Sequence, residues 1–198
     1  MAKHPKHKNR NTKKNSPLPL ILVGVGLIVI AVAFVIFTPK AKEAAEAYDP
    51  AKVPSSIPGD VNFSAPALTL TDVQGQTVSL TDYRGQWMLV NNWATWCPPC
   101  RAEMPELNAY YEAHKDDGFI LIGISSGDTK TQIEDFMQEY GITFPMWQDP
   151  TSKSLNAFRM EYLPSSFVID PSGTVRLAWT GAISLQTLEE YVTPLLEN

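Results

Sequence analysis

Cysteine and histidine are scarce in this chain: its 198 residues contain two cysteines and three histidines. Two cysteines cannot staple a scaffold with several disulfides. Together with the histidines they complete no four-ligand zinc site unless His4 and His7 of the distant tail join in. Internal repeats are lacking as well. Low hydrophobicity is not a feature either, since 44% of residues are apolar and 19% charged, which excludes a disordered chain. Acidic residues are missing from positions 1–37, which instead carry Lys3, Lys6, Lys8, Arg10, Lys13 and Lys14. The net charge of -5 therefore hides two parts, a tail of +6 and a remainder of -11.

Between Lys14 and Lys40 no charge occurs, and residues 18–37 read LPLILVGVGLIVIAVAFVIF. At about 1.5 Å per residue, twenty residues span about 30 Å, the hydrocarbon thickness of a bilayer. A buried soluble helix does not fit a run that is apolar all round and follows six cations, the pattern that keeps an N-terminus cytoplasmic. A cleaved signal peptide has the same charge pattern. Its apolar region is usually only about 7–15 residues, and the nearest small-x-small site here, Ala45-Glu46-Ala47, lies beyond the membrane exit. The expectation is a basic cytoplasmic tail (1–17), an uncleaved single-pass anchor (18–37), a Pro/Ser linker (38–58) and an extracytoplasmic domain (59–198). The six cations are accounted for by topology, so no nucleic-acid partner is expected.

The domain alternates strands and helices. Residues 67–71 and 77–80 flank Asp72-Val73-Gln74-Gly75 as a hairpin. Residues 87–93 form an apolar strand that runs into the cysteines, a helix follows over 98–114, and FILIGIS (119–125) reads as a central strand. Thr129 and Gln132 form a capping box for a helix whose Ile133, Phe136, Met137 and Tyr140 share one face and which Gly141 closes. Strand 144–148, a short helix over 152–158, a hairpin of 166–170 and 175–180 around Pro171-Ser172-Gly173, and a last helix over 185–196 complete the pattern. Such an order implies an α/β domain with a mixed sheet covered on both faces.

In Trp96-Cys97-Pro98-Pro99-Cys100 two thiols lie three residues apart where a strand gives way to a helix. At a helix N-terminus Cys97 gains from unpaired N–H groups and the dipole, which stabilise the attacking thiolate. Cys100, one turn later, can resolve the mixed disulfide. Pro98 and Pro99 suit the first turn but remove two donors to the sulfur, so the thiolate is less stabilised than in a site that keeps them. Haem attachment needs His where Arg101 stands, and a zinc ribbon needs a second cysteine pair. A peroxide-reducing Pro-x-x-x-Thr-x-x-Cys motif would need Pro and Thr where Val90 and Ala94 stand. An inert local disulfide is the remaining alternative to redox catalysis.

The segment VNNWATWCPPCRAEMPEL resembles the active-site region of the thioredoxin superfamily, in particular the membrane-tethered TlpA, ResA and CcmG (DsbE) group of thiol-disulfide oxidoreductases. APALTLTDVQGQTVSLTDYRGQ is similar to that group's N-terminal hairpin, residues 129–149 to its insertion, and YLPSSFVIDPSGTV to its proline-bearing strand and closing hairpin. The resemblance implies a thioredoxin-like three-layer sandwich with a central mixed sheet, an N-terminal hairpin and a central insertion, preceded by one transmembrane helix. It further implies a cis-proline at Pro164, which with Leu163 meets a substrate's backbone, and a proton-handling role for Glu103 beside Cys100. It also places a helix kink at Pro105. Read without the resemblance, Leu163-Pro164 is an ordinary trans bond and Glu103 a solvated helix carboxylate. Trp93 is expected in the core and Trp96 on the partner surface. Arg101 reads as a solvated helix residue. Asn91 stands where thioredoxin has a buried aspartate, and Asn92, where the group commonly has Phe, needs a buried partner.

By the same resemblance the catalytic residues are Cys97, Cys100 and Glu103, and the substrate-binding ones Trp96, Leu163 and Pro164. No cofactor is implied beyond the Cys97–Cys100 disulfide. The implied activity is reduction of protein disulfides, with apocytochrome c as client and an integral-membrane donor of the CcdA or DsbD type. A reductant for copper-site assembly on cytochrome oxidase, a general oxidase or isomerase, and a non-catalytic haem-handling adaptor are the alternatives. The motif itself does not specify direction, because CxxC proteins span about -270 to about -120 mV.

Overall fold

The computed structural model describes residues 54–197; the basic tail, the apolar segment 18–37 and the linker up to residue 53 lie outside the described residues. Among the described residues no helix is long and apolar enough to cross a membrane.

One mixed sheet of eight strands organises the domain, in the order β1-β8-β7-β4-β5-β6-β2-β3. Its strands are β1 (Gly59–Ser64), β2 (Thr69–Asp72), β3 (Thr77–Ser79), β4 (Trp87–Trp93), β5 (Phe119–Ser126), β6 (Met146–Asp149), β7 (Ser165–Ile169) and β8 (Thr174–Thr180). β4 and β5, and β5 and β6, run parallel, and the other pairs are antiparallel. The helices are α1 (Pro98–His114), α2 (Lys130–Tyr140), α3 (Lys153–Phe158), α4 (Leu185–Tyr191) and α5 (Thr193–Leu196), with a 3-10 turn over Leu80–Tyr83.

β4 is central, pairing with β5 on one side and β7 on the other, and both of its faces are covered by core. Its side chains alternate between two cores, as a pleated strand requires. Leu89 and Trp93 enter the core under α1, α2 and α4, with Met104, Leu107, Ile133, Phe136 and Leu188. Met88 and Val90 enter the opposite core, with Leu68, Leu80, Trp147 and Phe158. The capping box of α2 forms as its spacing predicts, and Gly141, at φ 65°, ends that helix.

Three elements depart from the sequence pattern. β1 is an additional strand whose side chains are nearly all exposed, and it joins the edge through backbone pairing with β8. The last helix is two: Pro194 has no N–H to offer the carbonyl four residues back, and the helix breaks after Tyr191. Ser152 caps nothing with its side chain; buried Asp149 instead accepts from Lys153 N–H (2.9 Å) and Ser154 N–H (2.7 Å) to start α3. The domain also begins earlier than its composition suggests. Ser55 Oγ accepts from Ser184 N–H, and Ser56 donates from N to Ala182 O and from Oγ to Thr180 O.

Gly123 lies at the centre of β5, where a Cβ would stand 2.3 Å from Met146 Sδ and 3.1 Å from Phe144 Cε2. Gly123→Ala is therefore expected to lower stability by about 1–3 kcal/mol through overpacking. Urea denaturation checks this, and an unchanged midpoint would mean that Met146 moves aside without cost.

Candidate active site

β4 delivers the chain to the reactive region, and the loop 94–96 turns it into α1. Cys97 is the N-cap of that helix, Pro98 and Pro99 fill its first positions, and Cys97 and Cys100 are joined as a disulfide with Cα atoms 5.3 Å apart. The two prolines leave one near amide for the Cys97 sulfur, the N–H of Cys100 at 3.4 Å. Cys97 retains slight exposure and Cys100 has none. Outward attack by the first and internal resolution by the second fit that difference.

The loop before Cys97 is held from the opposite element. Buried Asp128, just after β5, accepts from Thr95 N–H (2.8 Å), Thr95 Oγ (2.7 Å) and Ser125 Oγ (2.5 Å). Three donors satisfy this carboxylate in the interior. Its position between β5 and the capping box of α2 gave it no motif of its own, so the sequence pattern did not single it out.

Glu103 follows Cys100 by one helical turn and is 1% exposed, so the reading as a solvated helix carboxylate is corrected. Its Oε1 accepts from Asn91 Nδ2 (2.8 Å) and its Oε2 from the N–H of Ile183 (3.1 Å). Burial drives its pKa up from the ordinary carboxylate value to about 8, against the two hydrogen bonds, which pull it down. A carboxyl poised there can take or return a proton near neutral pH.

Pro164 is preceded by a cis peptide bond, so the ordinary trans reading of Leu163-Pro164 is corrected. Pro164 is buried, with its carbonyl accepting from Gly181 N–H at 2.9 Å, and half-buried Leu163 packs on the core that contains both cysteines. Trp93 is fully buried, whereas Trp96 is 67% exposed beside Cys97. Tyr162, two residues before Pro164, is 68% exposed and escaped notice in the sequence. These are the two most exposed large aromatic side chains among the described residues, and each sits on a segment adjoining the disulfide or the cis-proline.

Two further expectations are resolved. Asn92 finds its partners in Ser154, whose Oγ donates to Oδ1 at 2.5 Å, and in Ser165 Oγ at 3.3 Å. Arg101 is not simply solvated, because its Nε and Nη2 donate to the hydroxyl of Tyr140 at 3.1 and 2.7 Å and tie α1 to α2. Helix α1 continues through Pro105. Val90 and Ala94, which stand where a peroxide-reducing motif needs Pro and Thr, are buried core residues. Among the described residues no cluster of three or more metal-ligating side chains occurs.

Residues 61–178 match the AhpC/TSA family. The thiol-disulfide oxidoreductase ResA of Geobacillus kaustophilus is 36% identical over 132 residues, which cover 67% of this chain and 76% of that protein. ResA of Bacillus subtilis is 32% identical over 128 residues, 65% of this chain and 72% of that protein. Among solved structures, a putative thiol:disulfide interchange protein DsbE from Chlorobium tepidum superposes with a TM-score of 0.64 at 27% identity, covering 69% of this chain and 98% of that one.

Proposed function

The chain belongs to the AhpC/TSA family of thioredoxin-like proteins, and from that premise we propose that it is a membrane-tethered reductant of protein disulfides outside the cytoplasm. It is a thiol-disulfide oxidoreductase of the ResA and DsbE type, with a redox-active cysteine pair and no other cofactor. Residues 18–37 anchor it in this reading, with the basic tail inside and the acidic domain outside the cytoplasm. Apocytochrome c is the proposed client, and a membrane dithiol of the CcdA or DsbD type the proposed donor. Holding donor, catalyst and client at one surface raises their effective concentration without new contacts.

In this mechanism the thiolate of Cys97 attacks one sulfur of the client disulfide. That S–S bond breaks, the leaving client thiolate takes up a proton, and a mixed disulfide joins Cys97 to the client. The thiol of Cys100 then gives its proton to the Glu103 carboxylate, and its sulfur attacks Cys97 Sγ. The second client thiolate leaves and is protonated, so two electrons have passed to the client and the Cys97–Cys100 disulfide is formed. The donor dithiol reduces it again.

The observation that carries the reductive direction is the donor count at Cys97. Strong oxidants of this kind are those whose reduced form is stabilised. Here Pro98 and Pro99 offer no N–H and only Cys100 N–H lies near the sulfur, at 3.4 Å, so a Cys97 thiolate is less stabilised than where those two donors are present.

A peptide carrying a Cys-x-x-Cys-His disulfide, mixed with the reduced full-length chain, tests the client class. The expected result is one peptide reduced per Cys97–Cys100 disulfide formed; a peptide left oxidised while scrambled disulfides are rearranged would turn the reading toward an isomerase. In the same assay Trp96→Ala and Tyr162→Ala are each expected to raise KM about tenfold with kcat little changed, because exposed aromatic anchors contribute to docking and not to the bond exchange. Unchanged KM in both variants would remove these side chains from the client surface.

A further inference from the structure

Asn91 is a fully buried amide in the middle strand of the sheet, in register with Gly123 of β5 and Ser166 of β7. Its Nδ2 donates to Glu103 Oε1 at 2.8 Å and to Ser166 Oγ at 2.9 Å, and its Oδ1 has no hydrogen-bond partner among the described residues. A buried amide with an unmade acceptor is costly where an apolar side chain would carry no such cost. Packing therefore gives no reason for an asparagine here, and the two bonds from Nδ2 do. We propose that Asn91 is a positioning residue for Glu103: clamped on Ser166, its amide fixes the carboxylate and favours its ionised form, so that Glu103 exchanges a proton with Cys100 close to neutral pH.

The surroundings of Glu103 leave this role to Asn91. Among the described residues the carboxylate has two polar partners, and both are donors: Asn91 Nδ2 from β4 and Ile183 N–H from the connection between β8 and α4. From α1 itself, Cys100 lies one turn before Glu103 and Glu106 one turn after, and Glu106 is engaged with Leu185 N–H at 2.8 Å. Among the described residues no lysine, arginine or histidine lies within ion-pair distance of Glu103. With no such cation among the described residues, burial favours the neutral acid and the two donors oppose it. Ile183 contributes a backbone N–H that no substitution short of proline removes. Asn91 is the side chain through which the balance is set. Its second anchor, Ser166, is two residues beyond Pro164, so the same amide ties the proton-handling carboxylate to the strand that follows the cis-proline.

This inference rests on Glu103 serving Cys100, but its test reads the carboxyl group directly. Carbon-13 NMR of the Glu103 side chain in the oxidised full-length protein, held in detergent, is expected to give a titration midpoint near 8. In Asn91→Leu the midpoint rises by about one pH unit, a tenfold fall in the acid constant, because a charge-assisted hydrogen bond is lost. In Ser166→Ala, where the amide loses its anchor, it rises by less. A Glu103 midpoint in Asn91→Leu within a few tenths of the wild-type value would overturn the proposal. Asn91→Asp keeps the shape and covers the case in which the leucine variant does not fold. Two carboxyl groups in that contact cannot both ionise freely, so Glu103 is expected to titrate in two separated steps. A single step at the wild-type midpoint would overturn the proposal as well. The two readings fail separately: loss of disulfide exchange in the wild-type chain would sink the function and leave this titration untouched, and an unmoved titration would sink Asn91 with exchange intact.

Discussion

Cys97→Ser is expected to abolish thiol-disulfide exchange, a loss of at least about a thousandfold, whereas Cys100→Ser is expected to capture a partner and fail to release it. The asymmetry follows from position. Cys97 caps α1 and keeps some exposure, beside the exposed Trp96, so it is the sulfur a partner disulfide can reach. Cys100 is wholly buried one turn below, where the only disulfide it can attack is one that Cys97 has already formed. A serine at 100 leaves that intermediate without its resolving thiol. Non-reducing electrophoresis of membranes from cells producing the Cys100→Ser chain should show an adduct that reductant dissolves, and mass spectrometry of the adduct identifies the client. Full activity of Cys97→Ser in cells would instead favour a non-catalytic adaptor.

The second large effect belongs to Glu103→Gln, which lowers activity and changes stability with a sign that depends on pH. In the unfolded chain the carboxyl titrates at its ordinary 4.5, and in the folded protein at about 8. Between those values the native state holds a proton that the unfolded state has released, so stability falls as pH rises from about 4.5 to about 8 and is level on either side. The full change is on the order of 5 kcal/mol at 1.36 kcal/mol per unit. Glutamine does not titrate, and its stability should be flat over the same window. It also turns an N–H toward one of the two donors that the carboxylate satisfies, which costs about 1–3 kcal/mol. The variant is therefore expected to be the less stable protein near pH 5 and the more stable one near pH 9, as urea denaturation at the two values will read. Parallel curves would mean that Glu103 does not carry the raised pKa. Resolution by Cys100 should meanwhile slow about a hundredfold, since its proton has lost its acceptor, and the mixed disulfide should accumulate.

What the sequence made legible is what depends on near neighbours along the chain. The capping box and apolar face of α2, the strand 87–93 and the cysteine pair at a helix start are all local patterns, and each formed as its spacing predicts. β1 carried no signal because its residues face solvent and its place depends on backbone pairing with β8, more than a hundred positions on. Glu103 could be placed one turn from Cys100 by counting, but its hydrogen-bond partners Asn91 and Ile183 are 12 and 80 residues away. Asp128 was hidden for the same reason, since its donors on Thr95 lie 33 residues back. Pro194 was the one local signal passed over, and it breaks the last helix where its missing N–H requires.

The central claim is that Cys97 and Cys100 form a reductant, and a redox titration of the full-length chain against a dithiol buffer tests it most directly. With one near donor to the Cys97 sulfur, the account predicts a midpoint closer to the thioredoxin value of about -270 mV than to the DsbA value of about -120 mV. A midpoint near -120 mV would contradict it and identify the chain as an oxidant.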